Sequence, residues 1–170
     1  METFVRGKTL DAVRRWDGRV DRALRAGAMA VGAGVHITTI PGYLPLENDR
    51  ELSSLFRDRA IDLVGKGDIV AGEHLTGSTD MGDLSHIMPV IHPYTMGATG
   101  VGHGADYIIE DYTLAVINPA KVMAMTVIDL LANGAEKAKL IIDNSNPSMT
   151  RSAYLSTMRE FAREEEFRYE

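Results

Sequence analysis

The glycines of this sequence are concentrated in its middle, and this distribution limits where long helices and strands can form. More than half of the 16 glycines, with four of the five histidines, lie between Gly65 and Thr113. Glycine inside a helix or strand is destabilising because it loses more conformational freedom on folding than any other residue. We therefore expect loops and short elements there, longer elements on either side, and functional residues in the loops.

The first 41 residues have the pattern of a strand, a helix and a second strand. The alternating "ETFVRG" at 2–7 predicts a strand, and the β-branched "VHITTI" at 35–40 predicts another. Between them, Thr9 is a candidate N-cap for a helix with apolar residues at every third or fourth position. Because strands joined through one helix pair in parallel, we expect a parallel unit over 2–41.

The proline- and glycine-containing segment "PGYLPLEND" predicts a domain boundary near Leu46. It is followed by an amphipathic helix, "ELSSLFRDRAIDLV", and later by "IMPVIHPY", whose apolar run predicts a buried strand. The pattern of mixed helices and strands predicts an α/β (α+β) fold.

Two more helices are predicted in the last third of the chain. Asn118 caps the first, with Pro119 at its first position and its end at Gly134; because it is apolar nearly all round, we expect it to be buried. Ser148 caps the second, and "REEE" forms its solvated face.

Composition excludes several classes of function. The 170 residues carry a net charge of −6, with basic residues interleaved among apolar ones, so we expect no nucleic-acid partner. The absence of cysteine leaves histidine and carboxylate as the strong metal ligands. No apolar run approaches the roughly 20 residues of a membrane helix, and the start lacks a signal-peptide core, so we expect a cytoplasmic protein without a membrane partner.

His103 lies between two glycines in "TGVGHGADYIIED". Flanking glycines give the backbone freedom and leave the imidazole accessible, which is typical of a ligand or a catalytic group. A solvated loop histidine without a role is the alternative at this point.

The segment "GSTDMGDLSH" at 77–86 contains candidate caps for a short helix, among them Thr79. Asp80 and Asp83 are three residues apart and can share one helical face, a spacing compatible with acid–base work or with support of a histidine. The spacing of His86 and His92 matches no local metal motif. A metal site that combines His74, His86, His92 and His103 is a further alternative.

Several segments, taken in order, resemble the C-terminal part of a metal-dependent amidohydrolase of the carboxypeptidase G and aminobenzoyl-glutamate hydrolase family. They are "ETFVRGKTLDAVRRWDGRVDRALRAGAMAVGA", "PGYLPL", "GSTDMGDLSHIMPVIHPY", "GVGHGADY" and "NPAKVMAMTVIDLL". The resemblance implies a two-metal catalytic domain, here residues 47–170, and an inserted lid and dimerisation domain, of which residues 1–46 are a part. It implies a hydrolase that cleaves the amide bond of N-acyl or N-aroyl amino acids.

The resemblance also implies roles for single residues. His103 falls at the last metal ligand of the family, Arg6 at the lid arginine that grips the substrate carboxylate, and Thr79 beside the substrate. Asp80 falls at a supporting position behind them. Zinc or manganese, two ions per complete site, is the implied cofactor, and the resemblance leaves open whether this chain binds any metal alone.

The chain departs from the family pattern at its start, which falls inside the lid. The other metal ligands and the general base precede the lid in the family, so we expect no catalytic residue and little activity in this chain alone. A homo-oligomer or an N-terminal partner chain is implied, because the strands at 3–6 and 35–40 would have open edges. The alternative is a non-catalytic oligomerising or binding module derived from the same fold.

Overall fold

The computed structural model describes residues 1–70, 72 and 77–169, and it has a mixed α+β fold, which confirms the predicted fold class. The helices and strands in chain order are α1 (Leu10–Ala30), β1 (Val35–Thr39), α2 (Arg50–Val64), α3 (Asp80–Ser85), β2 (Ala98–Thr99), β3 (Ile108–Ile109), α4 (Asn118–Asn144), α5 (Arg151–Phe161) and β4 (Arg163–Phe167). A 3-10 turn spans Lys66–Asp68, and a π-helix spans Thr113–Ile117.

The described residues form two compact units. The first draws on Met1–Glu47, Glu73–Ile87 and Pro147–Glu170, and the second on Asn48–Gly72 and Met88–Asn146. These units are defined by contacts within the chain, whereas the predicted lid and catalytic domains refer to a complete enzyme and stay a prediction.

In the first unit, β1 pairs with β4 in an antiparallel ladder that runs from Val35 opposite Phe167 to Thr39 opposite Arg163. Two predictions are therefore wrong. Residues 2–7, all of them described, form no strand, so β1 has no parallel partner there. The "REEE" segment belongs to β4 and not to the face of a helix, because its side chains alternate between half-buried and exposed along the ladder.

Arg163 fixes β4 against α1. Its guanidinium donates to Asp17 at 2.8 Å and also to Asp21, and both carboxylates are largely covered. Burial disfavours the charged form, but the hydrogen bonds to Asp21 and Asp17 raise the pKa of Arg163 overall. The cluster therefore has a structural role in the first unit.

His86, directly after α3, ties together stretches that are far apart in the chain. Its ring is 1% exposed. Because a carbonyl can only accept, Nε2–H donates to the Pro45 carbonyl oxygen at 2.9 Å, and in this neutral tautomer Nδ1 accepts from the Ser148 hydroxyl at 2.6 Å. The predicted cap at Ser148 is thus wrong: Thr150 caps α5 by accepting from the Ala153 amide at 3.1 Å.

The segment at 44–47 approaches α3 closely. A Cβ on Gly82 would lie 2.0 Å from the Leu44 carbonyl oxygen, so only glycine fits there. The Leu44 amide donates to Asp83 at 2.8 Å, and the Glu47 amide donates to the Ser85 hydroxyl at 3.0 Å. This close approach holds α3 in place within the first unit.

In the second unit, α2 covers the predicted amphipathic helix and begins one residue before it, at Arg50. Asp49 caps α2 by accepting from the Leu52 amide at 2.8 Å. The predicted strand "IMPVIHPY" is wrong: Ile87 and Met88 form a turn and a bend after α3, and residues 89–94 of this segment are not part of a strand. Its prolines lack the N–H groups that a ladder needs. It is fixed instead through the Val90 carbonyl, which accepts from the Asp49 amide at 2.8 Å, and through the His92 amide, which donates to Asn48 at 2.9 Å.

Helix α4 differs from its prediction at both ends and in its burial. Asn118 is no cap, because the chain enters α4 from the π-helix with helical dihedral angles. The predicted end at Gly134 coincides with an interruption at residues 132–135, where Gly134 has φ 72° and the helix resumes afterwards. The prediction that this helix, apolar nearly all round, is buried is wrong, since only Val122, Thr126 and Ile141 are buried in it.

The helical stretch Thr113–Asn144 is long and apolar enough, by length and composition, to cross a membrane, contrary to the expectation that no such run exists. Length and composition do not separate a membrane span from a core helix. In this stretch, the dihedral angles of residues 132–135 are not helical. Asp129 lies 3.1 Å from the Arg59 guanidinium of helix α2, which packs against α4. These features are typical of a helix that packs against protein.

We predict that His86→Ala lowers the free energy of unfolding by about 2–4 kcal/mol, because it leaves the Pro45 carbonyl without its donor and opens a cavity. Urea unfolding followed by circular dichroism measures the change. His36→Ala is the matched control: His36 is exposed on β1, and we expect a change within about 0.5 kcal/mol. Equal losses in the two variants would contradict the role given to His86.

Candidate functional site

The loop that carries His103 is closed by a short hairpin in the second unit. β2 and β3 pair antiparallel, with Ala98 opposite Ile109 and Thr99 opposite Ile108. Gly97, at φ 108°, accepts from the amides of Glu110 and Asp111 at 2.9 and 3.0 Å. The two arms of the loop are therefore held together at its base.

Inside the hairpin, the chain passes so close to itself that a side chain cannot fit. Gly100 has φ 89°, and a Cβ there would lie 2.3 Å from the Asp106 carbonyl oxygen. Farther along, the Gly104 amide donates to the Val101 carbonyl at 2.7 Å, and the Tyr107 amide donates to the Gly104 carbonyl at 3.2 Å. The glycines thus build two consecutive turns around residue 103.

His103 lies at the tip of these turns with its side chain exposed. Its φ is 65°, in the left-handed region that residues other than glycine rarely occupy. Such backbone strain is concentrated at functional sites, where the surrounding structure enforces it. The structure therefore gives His103 the accessibility that the sequence predicts; its role as a metal ligand stays a prediction.

The residues around His103 do not make a complete metal site. Zinc needs about three protein ligands. Within residues 1–70, 72 and 77–169, no three histidine, aspartate or glutamate side chains converge on one point. Asp106, the acid closest in sequence to His103, turns toward its own loop, where its Oδ1 lies 3.5 Å from the Val101 amide. The residues that the structure describes therefore do not by themselves fit a two-metal centre.

The alternative site built from four histidines is not supported. His86 is buried with both ring nitrogens in hydrogen bonds. His92 stacks on Tyr94, with ring centroids 5.3 Å apart and planes 10° from parallel. His74 lies outside the described residues. At least His86 therefore has a structural role and is not free to bind a metal.

Thr79 and Asp80 form the start of α3. The Thr79 hydroxyl oxygen accepts from the Met81 amide at 3.4 Å, and the hydroxyl donates to the Asp80 carboxylate at 3.1 Å. Asp83, one turn later, accepts from the Leu44 amide, and burial together with the charge of Asp83 raises the pKa of Tyr154. Asp83 thus has a structural role, whereas Asp80 is exposed at the helix start.

Arg6 lies in the non-helical segment before α1, with its guanidinium 5.6 Å from the centre of the Phe4 ring. It belongs to the same compact unit as Thr79 and Asp80, and His103 belongs to the other unit. The predicted roles of these four residues therefore stay predictions.

Sequence reasoning missed Asp106, which shapes the His103 loop through its carbonyl and carboxylate groups. The signal was present in the sequence, since aspartate next to a glycine-rich segment is typical of a turn in which the side chain accepts from nearby backbone amides.

Comparison with known proteins gives one coarse assignment. No family model and no solved structure matches the chain. The chain is 24% identical over 138 residues to the Xaa-Arg dipeptidase of Mus musculus, a match that covers 75% of this chain and 32% of the dipeptidase. The chain therefore spans about a third of the length of that relative. The similarity agrees with the prediction at the level of a peptidase or amidohydrolase type of hydrolase.

We predict that Gly100→Ala opens the His103 loop, because the added Cβ collides with the Asp106 carbonyl and the positive φ disfavours alanine. Amide hydrogen exchange at Gly104 and Tyr107 should accelerate about tenfold or more, the factor expected for roughly 1.4 kcal/mol. Gly102→Ala is the matched control, since its Cβ would meet nothing within 4 Å. Equal exchange in both variants would contradict the close approach described here.

Proposed function

We propose that this chain is part of a metal-dependent amidohydrolase of the carboxypeptidase G and aminobenzoyl-glutamate hydrolase family. The observation that carries the proposal is the similarity to Xaa-Arg dipeptidase, 24% identical over 138 residues. An Xaa-Arg dipeptide and an aminobenzoyl-glutamate share one chemical unit, an amide bond followed by an amino acid with a free α-carboxylate. That unit is the proposed substrate class.

Within this proposal, His103 is a ligand for zinc or manganese and Arg6 binds the substrate carboxylate. An exposed imidazole held by strained turns is suited to a metal ion that must also admit water and substrate. The planar guanidinium of arginine offers paired donors that match a carboxylate. Thr79 and Asp80 would support the substrate pocket from the start of α3.

We further propose that hydrolysis requires a complementing polypeptide, defined as the hydrolase sequence that supplies the other metal ligands and the general base. The described residues contain no converging set of three ligands, which supports this requirement. The chain alone is then inactive, and its contribution is to hold one metal ligand and to orient the substrate.

A second candidate function is a non-catalytic oligomerising or binding module. It is favoured by the large number of exposed apolar side chains on α4 and elsewhere. This candidate predicts a stable symmetric assembly of the chain alone that binds no zinc.

The test of the proposed function uses this chain together with the complementing polypeptide, taken from the reading frame that adjoins the Met1 codon. We expect hydrolysis of an aminobenzoyl-glutamate or an Xaa-Arg dipeptide by the mixture and none by the chain alone. His103→Ala should lower kcat/KM by about 10³-fold or more with an unchanged circular dichroism spectrum. His36→Ala is the control, and full activity of His103→Ala would remove His103 from the site.

The proposed role of Arg6 has its own kinetic test, the change of KM in Arg6→Ala. Arg6→Ala should raise KM about 10- to 100-fold for substrates with a free α-carboxylate, because the charge-assisted hydrogen bonds are lost. KM for the corresponding α-carboxamide substrates should change little, since they lack the charge. An equal rise of KM for both kinds of substrate would contradict a carboxylate-binding role.

A further inference from the structure

The first half of α4 presents an apolar face to the outside of its compact unit. Four large side chains on this face are exposed by half or more, namely Met123, Val127, Ile128 and Leu131. Ala120 and Ala124 are also exposed and fall on the same side by helical periodicity. We call these six residues the α4 face.

The opposite side of α4 is already packed. Val122 and Thr126 are buried, and Asp129 lies 3.1 Å from the Arg59 guanidinium on α2. Because α2 packs against this side, the helix cannot turn its apolar face inward. The exposure of the α4 face is therefore a property of the packed unit and not of a loose helix.

The chain exposes more surface than two compact units of the same total mass would expose. The chain exposes 12252 Å². Two independent compact units, each of half the mass of 18.6 kDa, would together expose about 9,900 Å². The excess, summed over the whole chain, is roughly 2,300 Å². The four large side chains of the α4 face are among the exposed apolar residues that contribute to it.

We propose that the α4 face is the docking surface for the complementing polypeptide of the hydrolase. This inference rests on the proposed function, and two observations carry it. The face consists of apolar residues spaced three and four apart, the pattern that receives another element in a protein core. The match covers only 32% of the dipeptidase, so a relative of this kind contains enough additional chain to cover it.

A lipid bilayer fits the surroundings of the α4 face less well. Lys121 is exposed at the border of the face, and a charged group is costly in hydrocarbon. Helix α2, on the opposite side of α4, carries exposed charged side chains, among them Arg57 and Asp58, which a helix pair that crossed a bilayer would bury. A second copy of the chain could cover the face, but it would bring the same incomplete set of metal ligands.

The experiment measures binding of the complementing polypeptide to the purified chain by isothermal titration calorimetry and gel filtration with light scattering. We expect a one-to-one complex with the unaltered chain. Val127→Glu should weaken binding about 100-fold or more, because a buried unpaired charge would be placed in the interface. Val31→Glu is the matched control: Val31 is exposed outside the second unit, and binding should be unchanged.

Circular dichroism and urea unfolding establish that Val127→Glu is folded, and Ile128→Lys repeats the test with the opposite charge. Unchanged affinity in both variants would overturn the proposal, as would the absence of any complex. A dimer of the chain alone that Val127→Glu dissociates would assign the face to a second copy. Flotation with phosphatidylcholine–phosphatidylglycerol vesicles that Val127→Glu abolishes would assign it to a membrane.

The outcomes separate this inference from the proposed function. A complex that forms through the α4 face but hydrolyses neither substrate would leave the inference intact and contradict the proposed function. Hydrolysis by a mixture whose assembly and activity are insensitive to both α4 variants would support the proposed function and overturn the inference.

Discussion

The buried imidazole of His86 is the interaction on which the first compact unit depends. It accepts and donates at the same time, and its partners at Pro45 and Ser148 are 41 and 62 residues away in the chain. A fully satisfied polar group inside a protein fixes one arrangement, since any displacement leaves a carbonyl or a ring nitrogen without its partner. His86 follows α3 directly, so this contact holds the C-terminal end of the short helix that begins at Asp80.

The second constraint is the small amount of apolar burial. Among the described residues, six apolar side chains are buried, while α4 leaves several large ones exposed. Burial of apolar area is the main source of folding free energy, so each exposed face of this kind lowers the stability of the isolated chain. Under the proposed function, the incomplete set of metal ligands and the uncovered α4 face have one common explanation, a chain that acts together with further hydrolase sequence.

Local patterns predicted the presence of the long helices well, whereas the predicted caps of α4 and α5 are wrong. Thr9 caps α1 as expected, α2 coincides with its amphipathic pattern, and Gly134 lies within the interruption of α4. Strands were predicted poorly, because their pairing depends on distant residues. β1 is completed by "REEEF", more than 120 residues later, whose charges suggested a solvated helix face.

In the candidate site too, features that depend on neighbouring residues were predicted, and features that depend on distant residues were not. The accessibility of His103 follows from its flanking glycines, which is local information. The structural use of His86 could not be distinguished from a ligand role by sequence, because its hydrogen-bond partners are brought to it only by the fold. The described residues bring no three candidate ligands together, so no pattern within them could have predicted a complete metal site.

The most direct test of this account is the metal content of the purified chain. Elemental analysis for zinc and manganese after gel filtration gives the number of ions per chain. The account predicts far less than one ion per chain, because a stable site needs about three protein ligands and the described residues bring no such set together. About two ions per chain would contradict it and would mean that this chain builds a metal centre by itself.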